Sequence, residues 1–194
     1  MTTKYPGGAD ITKGPAANGG GGWGTDIGLY SCPPNSTNDA EDCATAPTYG
    51  MLYQWSAAMN RSTTDGAQGL CPSGWHVPTD AQLKTLVESQ ATGGCEASTG
   101  WQCPSASTKL ATSSNWTASP LNTATSTSGF SVQPSGFRLT SSYYGYRTSY
   151  AILWSSTADD ISYVWRRYLD SSIASVNRNV GLKALGFSVR CLKD

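Results

Sequence analysis

YVWRRYLDSSIASVNRNV, Tyr163–Val180, holds two stretches whose side chains alternate in character residue by residue. In a β-strand, successive side chains point to opposite faces of the sheet. In Val164–Leu169 this puts Trp165, Arg167 and Leu169 on one face, and Arg166 and Tyr168 on the other. In Ile173–Val180, Val176 and Arg178 share a face, and Ser175, Asn177 and Asn179 alternate against them. Both stretches read as strands. Gly136–Thr140, Ala151–Ser156 and Gly186–Leu192 read the same way, with turn-forming residues between them.

The first half of the chain has a helical signature instead. Thr79–Gln90 predicts a helix: Thr79 and Gln82 form a capping box, Pro78 precedes it, and Leu83, Leu86 and Val87 make a buried stripe. Gly93-Gly94 supplies the stop. Tyr49–Met59 predicts a second helix, with Met51, Leu52, Trp55 and Met59 on one side. Residues 92–135 are rich in Ser, Thr and Gly and read as irregular, with Trp101 and Trp116 as isolated anchors. Residues 1–22 carry PGGAD and GPAANGGGG and predict a flexible tail, which leaves residues 23–194 as one domain. Helices first and strands last indicate an α+β fold.

Only 13% of residues are charged and the net charge is zero, split as −3 over residues 1–138 and +3 over residues 139–194. That is too weak a basic half for nucleic-acid binding. No apolar run approaches the length of a membrane span, so no direct insertion is expected. Six cysteines, Cys32, Cys43, Cys71, Cys95, Cys103 and Cys191, allow fifteen pairings, and spacing alone does not choose among them. Two short loops suggest Cys32–Cys43 and Cys95–Cys103, leaving Cys71–Cys191. With one His and no CxxC, zinc is not expected, and no other metal or cofactor is implied. Disulfides point to an exported protein, extracellular or on a cell surface.

Leu139–Leu182 contains no Lys, Glu, Gln or Met, although residues 1–138 hold sixteen of these and about five would fall here at that rate. Six of the ten tyrosines lie between Tyr143 and Tyr168. Tyr gives a large rigid contact area with a polar tip, and Ser and Arg adapt to varied partners, which is the composition of a recognition surface.

LCPSGWHVPTDAQL (Leu70–Leu83), LWSST (Leu153–Thr157), GFSVRCLKD (Gly186–Asp194) and TYGMLYQWSAAM (Thr48–Met59) resemble, in order, the Fibrobacter succinogenes major paralogous domain. That resemblance implies a C-type-lectin-like fold of the formylglycine-generating-enzyme type: two helices, a small twisted antiparallel sheet and long irregular loops. It also implies a variable protein of a diversity-generating retroelement. In such systems adenine-directed mutagenesis rewrites AAC or AAT codons to NNC or NNT. Those codons cannot encode Lys, Glu, Gln, Met or Trp. The two tryptophans in the segment, Trp154 and Trp165, sit at positions that match the family framework.

On this reading a ligand-binding segment spans about residues 141–185. Its surface comprises Arg166, Tyr168, Asp170, Ser175, Asn177 and Asn179, beside a loop or irregular strand bearing Tyr143, Tyr144, Tyr146, Arg147, Ser149, Tyr150 and Ile152. The partner class is a protein or a surface glycan, and no catalysis is expected. Two alternatives stay open: a formylglycine-generating-type enzyme, which needs reactive cysteines, and a structural or adhesive protein with a fixed partner. His76 lacks an accompanying nucleophile motif and reads as structural. Asp159-Asp160 reads as a solvated turn rather than a calcium site.

Overall fold

The computed structural model describes residues 2–15, 23–36, 40–95, 99–141 and 143–194. The chain is mixed α+β, with small sheets and short helices. In chain order the strands are β1 (Thr12–Lys13), β2 (Leu29–Ser31), β3 (Leu52–Tyr53), β4 (Trp75–His76), β5 (Gly100–Gln102), β6 (Phe137–Arg138), β7 (Tyr144–Gly145), β8 (Tyr150–Ala158), β9 (Tyr163–Asp170), β10 (Val176–Leu182) and β11 (Leu192–Lys193). The helices are α1 (Ala46–Tyr49), α2 (Trp55–Ala58), α3 (Asp80–Gln90) and α4 (Ala106–Leu110).

The principal sheet is antiparallel, in the order β5-β10-β9-β8. It carries a core on each side. Ala151, Leu153, Leu169 and Val176 pack with Val87 of α3, Leu110 of α4, Trp116 and Leu121. On the opposite side Ile152, Trp154 and Val164 pack with Tyr53, Trp55, Met59 and Phe187. The alternation read from Val164–Leu169 is the pleat itself: Arg167 and Leu169 are buried towards α3, while Tyr168 turns to the other face.

Helix α3 begins where the capping box places it. Thr79 Oγ1 accepts from Gln82 N–H at 3.1 Å, and Gln82 Oε1 accepts from Thr79 N–H at 2.8 Å. It ends at Gln90, ahead of the two glycines, because Ala91 is already extended. Asp80 in its first turn then locks it to the sheet. Its carboxylate lies 2.6 Å from Arg167 Nη1 and 2.7 Å from Arg178 Nη2. The Arg178 guanidinium stacks on Trp165 at 3.6 Å. All the framework side chains of β9 and β10 are thus committed to one side.

Two expectations are corrected. Tyr49–Met59 is not one helix. Gly50 adopts φ 86°, which ends α1, and Leu52–Tyr53 pair with Tyr30 and Ser31 of β2 before α2 begins. Gln54 explains the break: its buried Oε1 accepts from the N–H groups of Ile27, Gly28 and Leu29 at 3.1, 3.1 and 3.0 Å. A continuous helix would take that amide away from the loop it satisfies. Residues 2–15 are likewise not a tail. Ile11 is buried, β1 runs parallel to β2, and Tyr53 Oη donates to the Thr2 carbonyl at 2.6 Å. The remaining residues of the expected tail, Met1 and 16–22, lie outside the described set.

The disulfides are Cys32–Cys43, Cys71–Cys191 and Cys95–Cys103, and no cysteine is free. Three such bonds indicate an oxidising, non-cytoplasmic setting. Among the described residues, no helix is long and apolar enough to cross a membrane.

Candidate functional site

The outward face of the principal sheet is covered only in part. Register puts Trp101, Asn177, Tyr168 and Ile152 in one row across its four strands. Phe187 and Trp154, with ring centroids 4.4 Å apart, belong to the core cluster that buries the β8 end of this row. Towards β5 the row is open: Trp101 is 41% exposed, and Asn177 and Asn179 are half-buried.

Aromatic rings run from this row onto the 143–150 loop. Trp101 meets Tyr168 at 5.2 Å, Tyr168 meets Tyr150 edge-on at 5.2 Å, Tyr150 meets Tyr146 at 4.8 Å, and Phe137 closes on both Tyr146 and Tyr150 at 6.0 and 6.3 Å. Offset and edge-on pairs of this kind each add about 0.5–1.5 kcal/mol beyond area burial. The five rings therefore hold one another as a ladder, not as free side chains.

Backbone geometry sets the ladder's position. Gly136 has φ 70°, and a Cβ there would lie 2.2 Å from the Gly145 carbonyl. Phe137 lies flat over Gly145, where a Cβ would meet its ring at 2.4 Å. Tyr146 adopts φ 56° and Thr148 φ 73°, a left-handed conformation that costs about 1–2 kcal/mol per residue. These kinks alternate the loop's side chains between solvent and core.

The loop's candidate residues therefore divide. Tyr143 and Tyr146 are exposed. Tyr150 is half-buried within the ladder, and Ser149 Oγ lies 3.1 Å from Thr117 Oγ1. Tyr144 is a correction: it is fully buried, with the Arg138 guanidinium 4.9 Å over its ring and 3.8 Å over Trp23 on the other side. Burial pushes its phenol up, against the opposing charge of Arg138. Ile152 is also corrected. It shares the outward face but is buried beneath the Phe187 cluster. Arg147 points inward to Asp42 at 3.1 Å and Thr45 Oγ1 at 2.7 Å, and is a tether rather than a displayed group.

On the strands, Arg166 lies along the sheet. Its Nε donates to the Val180 carbonyl at 3.1 Å, and its guanidinium sits 5.8 Å from the Tyr168 and Phe187 rings. Asp170 caps the β9–β10 turn by accepting from Ser172 N–H at 2.9 Å and Oγ–H at 2.7 Å. The Tyr168 phenol is held well above its ordinary value, first by burial and then by the Asp170 charge and Tyr150. It stays neutral and keeps its O–H as a donor. Ser175, Asn177 and Asn179 are half-buried, opposite in direction to Val176 and Arg178. Trp101 and Phe137 were not legible as site residues. Trp101 reads as an isolated anchor in a polar stretch, and only the pairing of β5 with β10 brings it to Tyr168.

Other candidate chemistry is structurally committed. His76 Nδ1 lies 2.6 Å from Asp194, and its Nε2 lies 3.0 Å from Gln82 Oε1. Asp160 Oδ1 accepts from Ser162 and Tyr163 N–H at 2.7 Å each, capping a hairpin turn. Cys32, Glu41 and Cys43 cluster, but the two sulfurs are bonded to each other and cannot act as thiolate ligands.

The family model described as the Fibrobacter succinogenes major domain matches residues 3–193. The chain belongs to that family. The Fibrobacter succinogenes major domain thus begins within the segment read as a tail, in keeping with the packed β1. No curated protein and no solved structure matches the chain. What this Fibrobacter succinogenes major domain does must be read from its own surface, where the aromatic ladder combines exposed rings with rigid support.

Proposed function

We propose that this chain is a non-enzymatic ligand-binding protein, of C-type-lectin-like architecture, whose aromatic face is rewritten by a diversity-generating retroelement. The observation that carries this reading is the division of labour in β9 and β10. Trp165, Arg167, Val176 and Arg178 face α3, with both arginines bound to Asp80, while Tyr168, Asn177 and Asn179 face outward. Side chains on the outward face can change without touching the network that fixes the strands. The missing Lys, Glu, Gln and Met in Leu139–Leu182 fit a restricted codon set acting on that face. The ligand is a protein or glycan met outside the cell, and a few aromatic residues carry most of the affinity.

A phage-displayed library tests this without knowing the ligand. Tyr143, Tyr146, Tyr150, Tyr168, Asn177 and Asn179 are randomised with NNC codons, and members are sorted first for protease resistance and then on an arbitrary protein target. Most members should remain protease-resistant and binders should emerge. General loss of resistance, or failure to recover any binder from a well-folded library, contradicts the reading.

A further inference from the structure

A concavity lies away from the aromatic ladder. A cleft of about 950 Å³ opens between the C-terminal segment 188–192, the loop 128–133, the turn after α1 and the N-terminal residues 2–6. Its size falls within the range of small-molecule sites. Of its lining, only Leu153 comes from Leu139–Leu182.

Tyr49, Met51, Phe130 and Val132 give it apolar walls, and no Asp or Glu lines it. Lys4 and Arg190 are its cations. Lys4 is engaged by Asp10 at 2.7 Å. Arg190 is exposed, has no acidic partner among the described residues, and holds its guanidinium 5.8 Å from the Phe130 ring.

We propose that this cleft binds a small organic anion with an aromatic or branched apolar body. The anionic group lies against Arg190, and the body rests on Phe130, Met51 and Tyr49. Apart from Leu153 the cleft lies outside Leu139–Leu182, and the proposal does not depend on the reading of the outward face of β9 and β10.

The test uses the full-length oxidised chain and two fluorescent probes with nearly the same aromatic body: 1-anilinonaphthalene-8-sulfonate, which is anionic, and N-phenyl-1-naphthylamine, which is neutral. The sulfonate should bind saturably at one site, at least tenfold tighter than the amine. Arg190→Gln should weaken the sulfonate at least tenfold and leave the amine unchanged, and Arg190→Lys should retain most of the affinity. Absence of saturable binding, equal affinity for both probes, or indifference to Arg190→Gln overturns the proposal. A Tyr146→Ala/Tyr168→Ala double variant should bind the sulfonate normally, because both residues lie on the other surface. Loss of binding in that variant would place the probe on the ladder and also overturn the proposal.

Discussion

Tyr168 and Tyr150 meet edge to face, with ring centroids 5.2 Å apart at 87°. The contact joins β9 to the first residue of β8, where the preceding loop enters the sheet, and Tyr150 in turn holds the Tyr146 ring of that loop at 4.8 Å. With Trp101 on the far side of Tyr168, the result is a broad surface of mutually supporting rings.

Substitutions across the segment should separate sharply in their effect on stability. Tyr143→Ala should cost about 1 kcal/mol or less, as exposed changes do, and Tyr146→Ala about 1–2 kcal/mol through its ring contacts with Tyr150 and Phe137. Ile152→Ala should cost about 2–5 kcal/mol, because it empties a packed core site. Tyr144→Ala should cost about 3 kcal/mol or more, since it also uncovers the buried Arg138 guanidinium. Urea unfolding of the four variants measures this directly. Equal losses at Tyr144 and Tyr146 would refute the inward–outward division of the loop.

The Asp80 network should carry a defined pH signature. Burial pushes the Asp80 carboxyl up, but hydrogen bonds and charge from Arg178 and Arg167 more than offset it and hold it below its ordinary value of 3.8. A folded-state pKa below the unfolded one stabilises the fold fully above the unfolded value. That contribution is lost as pH falls through the folded value. Asp80→Asn should therefore lower neutral-pH stability by about 3–5 kcal/mol, leaving two guanidinium groups without their counter-charge. It should also remove part of the wild-type loss of stability below about pH 4. Thermal melts of both proteins between pH 2 and 7 show whether the two curves converge at low pH, as expected, or stay parallel.

Gln54→Leu should be more damaging than its conservative volume suggests. The amide oxygen serves three successive N–H groups, and each buried donor left alone costs about 1–3 kcal/mol. A loss of at least about 3 kcal/mol is expected, with faster hydrogen exchange at Ile27, Gly28 and Leu29. A loss under about 1 kcal/mol would show that the Gln54 bonds do not hold this loop.

Thiol titration of denatured, unreduced protein should give zero, since all six cysteines are paired. A free reactive thiol would favour the enzymatic alternative. Removing Cys71–Cys191, with a sequence separation of 120, should cost on the order of 4–5 kcal/mol in the chain-entropy model, the largest loss of the three.

Local rules made α3 and the β9–β10 pleat legible. The Thr79–Gln82 capping box is a short-range hydrogen-bond pattern, and period-2 alternation needs no partner to be recognised. The misreadings share a cause in long-range pairing. Leu52 and Tyr53 have helical neighbours but are claimed by β2; Trp101 gains its role only through β10; and Ile11 is buried by strands distant in sequence. Tyr144 was misread because composition cannot distinguish a displayed tyrosine from one beneath a buried arginine.

Sequencing the genomic DNA around the gene tests the central claim most directly. The account predicts a reverse-transcriptase gene and a near-copy template repeat nearby, with AAC or AAT codons at outward positions such as Tyr146, Tyr168, Asn177 and Asn179. Codons for Trp154, Trp165, Arg167 and Val176 should match between template and gene. Flanking DNA without such a repeat, or a repeat whose adenines fall on those framework codons instead, would contradict it.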